Sequence, residues 1–213
     1  MPDQALEPPI WPPSATPLPG LLFVLSGPSG VGKDVALNLM RAQGFALHFV
    51  VTTTSRPPRP GEVEGRDYNF VSTQRFQEMI ANDEFLEWAM VYGDYKGIPK
   101  AQIRRALDSG KDVMLRLDVQ GAATVRKLCP QGVFIFLAPA SLEELEQRLR
   151  ARLTETPEGL ARRMAVAPKE MAELPNFDYM VINRHGYLEI AVEQIKSIII
   201  AERCRVHRRR VTI

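Results

Sequence analysis

The alternation of apolar and polar positions becomes regular at Leu21, where LLFVLS forms a short continuous apolar run. Such a run suits a strand buried on both faces. A glycine-rich stretch, GPSGVGK, follows at residues 27–33. DVALNLMRAQG then reads as a helix, with Val35, Leu37, Leu39 and Met40 as its apolar face and Gly44 as its stop. FALHFVVT, KDVMLRLDV, GVFIFLAP and FDYMVIN are further strand candidates. GAATVRKL reads as a helix between two of them. SLEELEQRLRARL opens with Ser141 as N-cap and Glu144 three residues later, a capping box. LEIAVEQIKSIIIAERC is a long amphipathic helix. Strands alternating with helices predict an α/β fold, a parallel sheet with helices on both faces. Residues 53–99 break the alternation. TTSRPPRPGEVEGRDYNFV predicts short strands and turns, hence an inserted lobe. Residues 153–170 are polar and Arg-rich and read as a small helical lid. The core is expected over 21–52, 100–152 and 171–213.

Composition narrows the function classes. The chain has 213 residues, 45% hydrophobic and 24% charged, with a formal charge of +2. That charge gives no argument for a nucleic-acid or membrane partner. No apolar run approaches the roughly 18–20 residues that span a bilayer. Cys129 and Cys204 form neither a disulfide framework nor a zinc spacing, which fits a reducing, cytoplasmic compartment. Residues 1–20 contain seven prolines and no Lys or Arg. They lack the features of a signal or transit peptide and are expected to be an extended, disordered tail, with Trp11 free to pack. The basic end RCRVHRRRVTI reads as a complement to a helix C-terminus or a solvated end.

The stretch Gly27-Pro28-Ser29-Gly30-Val31-Gly32-Lys33 has the form G-x-x-x-x-G-K. Its glycines let backbone N–H groups turn inward, the following helix points its positive end at an anion, and Lys33 adds a mobile charge. It is a candidate site for the phosphates of a nucleotide. The position that ordinarily supplies a hydroxyl to magnesium is Asp34. A carboxylate about 5 Å from a phosphate charge costs roughly 3 kcal/mol at an effective dielectric of about 20. A magnesium ion reverses that sign. Asp34 therefore either holds magnesium with its water or turns outward on the first helical turn.

TTTSRPPRPGEVEGRDYNFV and FLEWAMVYG, taken with GPSGVGK, resemble the guanylate kinases, P-loop enzymes that transfer a phosphoryl group from ATP to GMP. The resemblance covers roughly residues 21–203. Arg56 and Arg59 flank two prolines, and two guanidinium forks on one stiff loop make a clamp for a phosphate monoester. The resemblance assigns Arg56, Arg59 and Tyr68 to the GMP phosphate. Glu87 lies among large apolar residues, where a carboxylate needs donors. It is either an ion-pair partner or, as the resemblance implies, the group that accepts from guanine N1–H and the exocyclic amine. Thr52 matches a family position whose hydroxyl meets the base. Lys96 stands where many members have a phosphate-binding Tyr, Ile98 where they have a hydroxyl, and Arg116 where they have an acid. Tyr95 is a candidate substitute for the missing Tyr. Asp118 matches an acidic residue near GMP and magnesium.

In QRLRARLTETPEGLARRM, Arg148 and Arg152 share a helix face and Arg163 comes from across a loop. The resemblance implies Arg148 and Arg163 near the transferred phosphate and Arg152 near ATP. Asn183 matches a position near the ATP base and is equally suited to a turn. The expectation is an Mg2+-dependent kinase acting on GMP and dGMP in purine nucleotide metabolism, with no nucleic-acid or membrane partner. Two other readings fit the same residues. One is a kinase for another phosphate monoester; the other is a catalytically inactive interaction module.

Overall fold

The computed structural model describes residues 19–91, 93–151 and 157–213. Expectations for residues 1–18, including Trp11, and for Arg152 lie outside them. In chain order the described elements of the core are β1 (Leu22–Ser26), α1 (Lys33–Ala42) and β2 (His48–Phe49). An inserted stretch carries β3 (Thr53–Thr54), β4 (Asn69–Phe70), α2 (Thr73–Ala81), β5 (Phe85–Val91) and β6 (Asp94–Pro99). The core resumes with α3 (Lys100–Asp108), β7 (Val113–Arg116), α4 (Val119–Leu128) and β8 (Val133–Pro139). It ends with α5 (Leu142–Arg150), α6 (Pro157–Ala172), β9 (Tyr179–Asn183) and α7 (Leu188–Arg203).

The fold is α/β. A parallel sheet runs in the order β2-β7-β1-β8-β9. All residues of β1 and β8 are buried, as strands covered on both faces must be. One apolar cluster packs α1, α5 and α7 against this sheet through Leu37, Met40, Leu149 and Ile195. A second, around Val24, Leu115 and Phe134, takes in α3 and α4. Residues 53–99 form a separate sheet in the order β4-β3-β6-β5.

Several local expectations change. Ala36, Leu37 and Met40 form the buried face of α1, and Val35 is exposed. The buried set follows i, i+1, i+4 spacing, which Val35 does not share. FALHFVVT is not one strand. His48–Phe49 pairs with β7, whereas Thr53–Thr54 joins the other sheet. The run crosses between sheets, which leaves Thr52 at the cleft. The inserted stretch also holds a helix, α2, capped by Ser72 and anchored by Phe76 and Met79. Phe76 stacks on Phe85 and Tyr95 at centroid distances of 4.4 and 5.1 Å. The basic C-terminal segment does complement a helix C-terminus, Arg208 donating to the Arg203 carbonyl at 3.1 and 2.9 Å, and it is not a free end. Arg205 and Arg209 pair with the buried Glu202, and Val211 and Ile213 pack on the second cluster. No helix among the described residues is long and apolar enough to cross a membrane.

Candidate active site

The phosphate loop leaves β1 and ends at α1. Gly27 takes φ +136°, and a Cβ there would meet the Leu137 carbonyl oxygen at 2.1 Å. At Gly32, with φ +102°, it would meet Asn183 Nδ2 at 2.7 Å. Only glycine fits either place. Lys33 Nζ curls over the loop and donates to the carbonyls of Gly27 (2.6 Å) and Pro28 (3.0 Å). Burial lowers the Lys33 pKa to about 8; Glu170 opposes this, Arg116 adds to it, and Asp118 and Asp34 oppose it more weakly.

Asn183 ends β9, is buried, and donates from Nδ2 to Val31 O at 2.8 Å. It braces the loop from below and is not a turn residue. Arg148 supports the same place, donating to Val31 O (3.1 Å), Asn183 O (2.6 Å) and the Glu144 carboxylate. From α6, Arg163 donates to the Ser29 hydroxyl, and Glu170 accepts from the Ser29 N–H at 3.2 Å. Glu170 was not singled out in the sequence because nothing local links it to a loop 141 positions earlier.

Across the cleft, a cavity of about 300 Å³ brings together Lys33, Thr52, Glu87, Lys96, Arg116 and Asp118. Glu87 sits on β5 opposite Ile98 of β6, next to a bulge. It accepts no hydrogen bond from any described residue. Burial raises its carboxyl pKa to about 7, and the negative charge of Asp118 adds to the rise. Asp118 caps α4, its Oδ1 accepting from Gly121 N at 2.8 Å. Lys96 and Ile98 face this cavity. Tyr95, one residue before Lys96, points to the opposite face and stacks on Phe76, so it cannot replace a cavity tyrosine.

Arg56 is buried and stacks on Tyr68, with its guanidinium carbon 4.8 Å from the ring centroid. Its fork is held by Glu62 in two bonds of 2.7 and 2.5 Å. Glu62 also accepts from Arg59 N at 2.8 Å, while the Arg59 side chain is exposed. These contacts, first from Arg56 and then from Arg59, hold the Glu62 pKa down to about 2. Sequence reasoning missed Glu62. Its signal was an acid three residues after Arg59 within the same proline-stiffened loop.

Magnesium with bound ATP needs one or two carboxylate oxygens, the rest of its shell coming from phosphate and water. Asp118 Oδ2 is uncommitted among the described residues and fits that need. Asp34 accepts from Arg116 at Oδ1 and keeps Oδ2 uncommitted among the described residues, but its one bonded partner is a cation, whereas that of Asp118 is a backbone N–H.

A family model described as guanylate kinase matches residues 20–202. Guanylate kinase 2, chloroplastic/mitochondrial, of Oryza sativa subsp. japonica is 50% identical over 94% of this chain and 71% of its own. The guanylate kinase of Halalkalibacterium halodurans is 46% identical over 89% of this chain and 92% of its own. The crystal structure of guanylate kinase from Anaplasma phagocytophilum has a TM-score of 0.69 at 29% identity, with 89% of each chain covered.

Proposed function

This chain belongs to the guanylate kinase family, and from that membership we infer how its cleft carries a phosphoryl group from ATP to GMP. It is a nucleoside monophosphate kinase: ATP and GMP give ADP and GDP. The observation that carries the assignment of roles is the shared cavity, in which Lys33 of the phosphate loop meets Glu87, Lys96 and Asp118.

ATP lays its phosphates on the Gly27–Lys33 loop, with Lys33 leaving the Gly27 and Pro28 carbonyls to meet them. Ser29 N–H must then exchange Glu170 for a phosphate oxygen. GMP enters from the other side. Its base lies on Glu87 and Thr52, and its phosphate on Arg56, Arg59, Tyr68 and Lys96. Ile98 adds only apolar contact. A GMP phosphate oxygen attacks the terminal phosphorus of ATP, the bond to the bridging oxygen breaks, and ADP leaves. The attacking oxygen is already anionic, so no general base is needed. Asp118 would hold magnesium through Oδ2, and the ion would supply charge neutralisation at the phosphates. Arg163 brings positive charge from the lid beside Ser29, and Arg148 brings it from behind the loop. Closing the lid excludes water, the competing acceptor. The unpaired cysteines suit a reducing compartment.

ADP release with ATP and magnesium, offering GMP, dGMP, AMP, UMP and CMP in parallel, tests this. Turnover is expected on GMP and dGMP alone. Fast turnover on another acceptor would overturn the assignment of Glu87. A second expectation concerns Glu62, which fixes the Arg56 fork. Glu62→Gln should raise KM for GMP about tenfold, the loss expected from one charge-assisted hydrogen bond, and leave KM for ATP unchanged. Steady-state kinetics with each substrate varied separately would reveal the asymmetry. Equal effects on both would mean Glu62 acts on the fold and not on the clamp.

A further inference from the structure

Asp34 stands where a phosphate loop ordinarily carries a hydroxyl. Its carboxylate accepts from the guanidinium of Arg116, 82 positions away in the chain. The contact ties the first turn of α1 to the end of β7. The side chains are 66% and 37% exposed, and an ion pair this open adds little to stability. Its location is what matters. Arg116 lines the acceptor cavity with Lys33 and Asp118, and it also lines the adjoining cavity with Asp34 and Tyr68.

A bare carboxylate about 5 Å from a phosphate charge weakens binding by roughly a hundredfold or more at an effective dielectric of about 20. With Asp34 unmasked, the loop would repel the anion that its N–H groups are arranged to hold. We propose that Arg116 is the residue that makes Asp34 compatible with phosphate binding, neutralising the carboxylate so that the two act as one unit between donor and acceptor phosphates. The Asp34 carboxylate is then a masked charge with no positive role in phosphate binding, and magnesium falls to Asp118. This rests on the reading that donor phosphates occupy the loop.

The pair makes a prediction that neither residue makes alone. Affinity for a bisubstrate analogue, adenosine and guanosine joined through five phosphates, is measured by calorimetry in EDTA and again with magnesium. Thermal melting checks that each variant folds. Arg116→Met should weaken binding in EDTA by about tenfold to a hundredfold, solvent screening setting the lower end. Asp34→Asn should not weaken it. Asp34→Asn combined with Arg116→Met should return to within about threefold of the parent, because no bare carboxylate remains. Arg116→Lys, which keeps the charge, should lose less than Arg116→Met.

Unchanged binding by Arg116→Met in EDTA would overturn the proposal. A double variant as weak as Arg116→Met would also overturn it, since Arg116 would then bind phosphate directly. Weakening of Asp34→Asn only when magnesium is present would make Asp34 a metal ligand and overturn it as well. Failure of the parent to bind the analogue under either condition would instead remove the reading of the loop.

Discussion

Lys33→Ala is expected to lower kcat about a thousandfold, with far smaller effects on melting temperature. The Lys33 nitrogen already lies over the loop, bonded to the carbonyls of Gly27 and Pro28. Those two bonds are replaceable by water, so folding does not depend on them. The charge is not replaceable, because phosphoryl transfer leaves the protein little to do except align phosphates and neutralise them. Burial has lowered the Lys33 pKa to about 8, so the free enzyme is still mostly charged at pH 7. The sign follows. The cation is present below about pH 8 and is lost above it, so kcat/KM for ATP should decline on the alkaline side of 8. Bound phosphate favours the charged form and raises the pKa, which should move the same limb to higher pH in kcat. Lys33→Ala should abolish the limb along with the rate. Turnover within about twofold of the parent would mean that the loop does not hold the donor.

Much of this arrangement was legible in the sequence, and most of what was not depends on partners far apart along the chain. The phosphate loop can be read because its requirements are local: a buried strand, glycines at special dihedrals, a lysine and a helix within a dozen residues. That Thr52, Glu87, Lys96 and Asp118 belong to one site was readable only through family resemblance, which carries long-range geometry that periodicity does not, and they do share a cavity with Lys33. Partners distant in sequence stayed hidden. Nothing near Asp34 names Arg116, nothing near Ser29 names Glu170, and nothing near Val31 names Arg148 or Asn183. Other departures were local and readable in principle. Ser72 followed by Phe76, Met79 and Ile80 carries both a cap and helical spacing, but it follows directly on the stretch that reads as short strands and turns, and the helix is not read there. Tyr95 was a candidate for the cavity because it neighbours Lys96, but alternation along β6 sends neighbours to opposite faces. The C-terminal arginines read as a complement to a helix C-terminus or as solvated charge; Arg208 does meet the Arg203 carbonyl, but the buried Glu202 that pairs with Arg205 and Arg209 was not foreseen.

Glu87→Gln is expected to raise KM for GMP about a hundredfold and to reduce discrimination against AMP from about ten-thousandfold to about a hundredfold. A carboxylate can accept from guanine N1–H and from the exocyclic amine together. A glutamine accepts from one and sets its own N–H groups against the other. In the free protein Glu87 has no described donor, and burial with the nearby Asp118 charge raises its pKa to about 7. The neutral acid therefore dominates below that pH, and only the carboxylate fits guanine. Affinity for GMP is present above about pH 7 and is lost as pH falls below it, so kcat/KM for GMP should drop about tenfold per pH unit there. The phosphate of GMP, with a second pKa near 6, adds a later step. Once guanine is bound its donors favour the charged form, so the Glu87 step should be missing from kcat, which reports the bound complex. The variant should lose the step near pH 7 and keep the one near 6. A pH profile of kcat/KM for both proteins separates these outcomes, and an unchanged step in the Gln variant would assign it to another group and take guanine recognition away from Glu87.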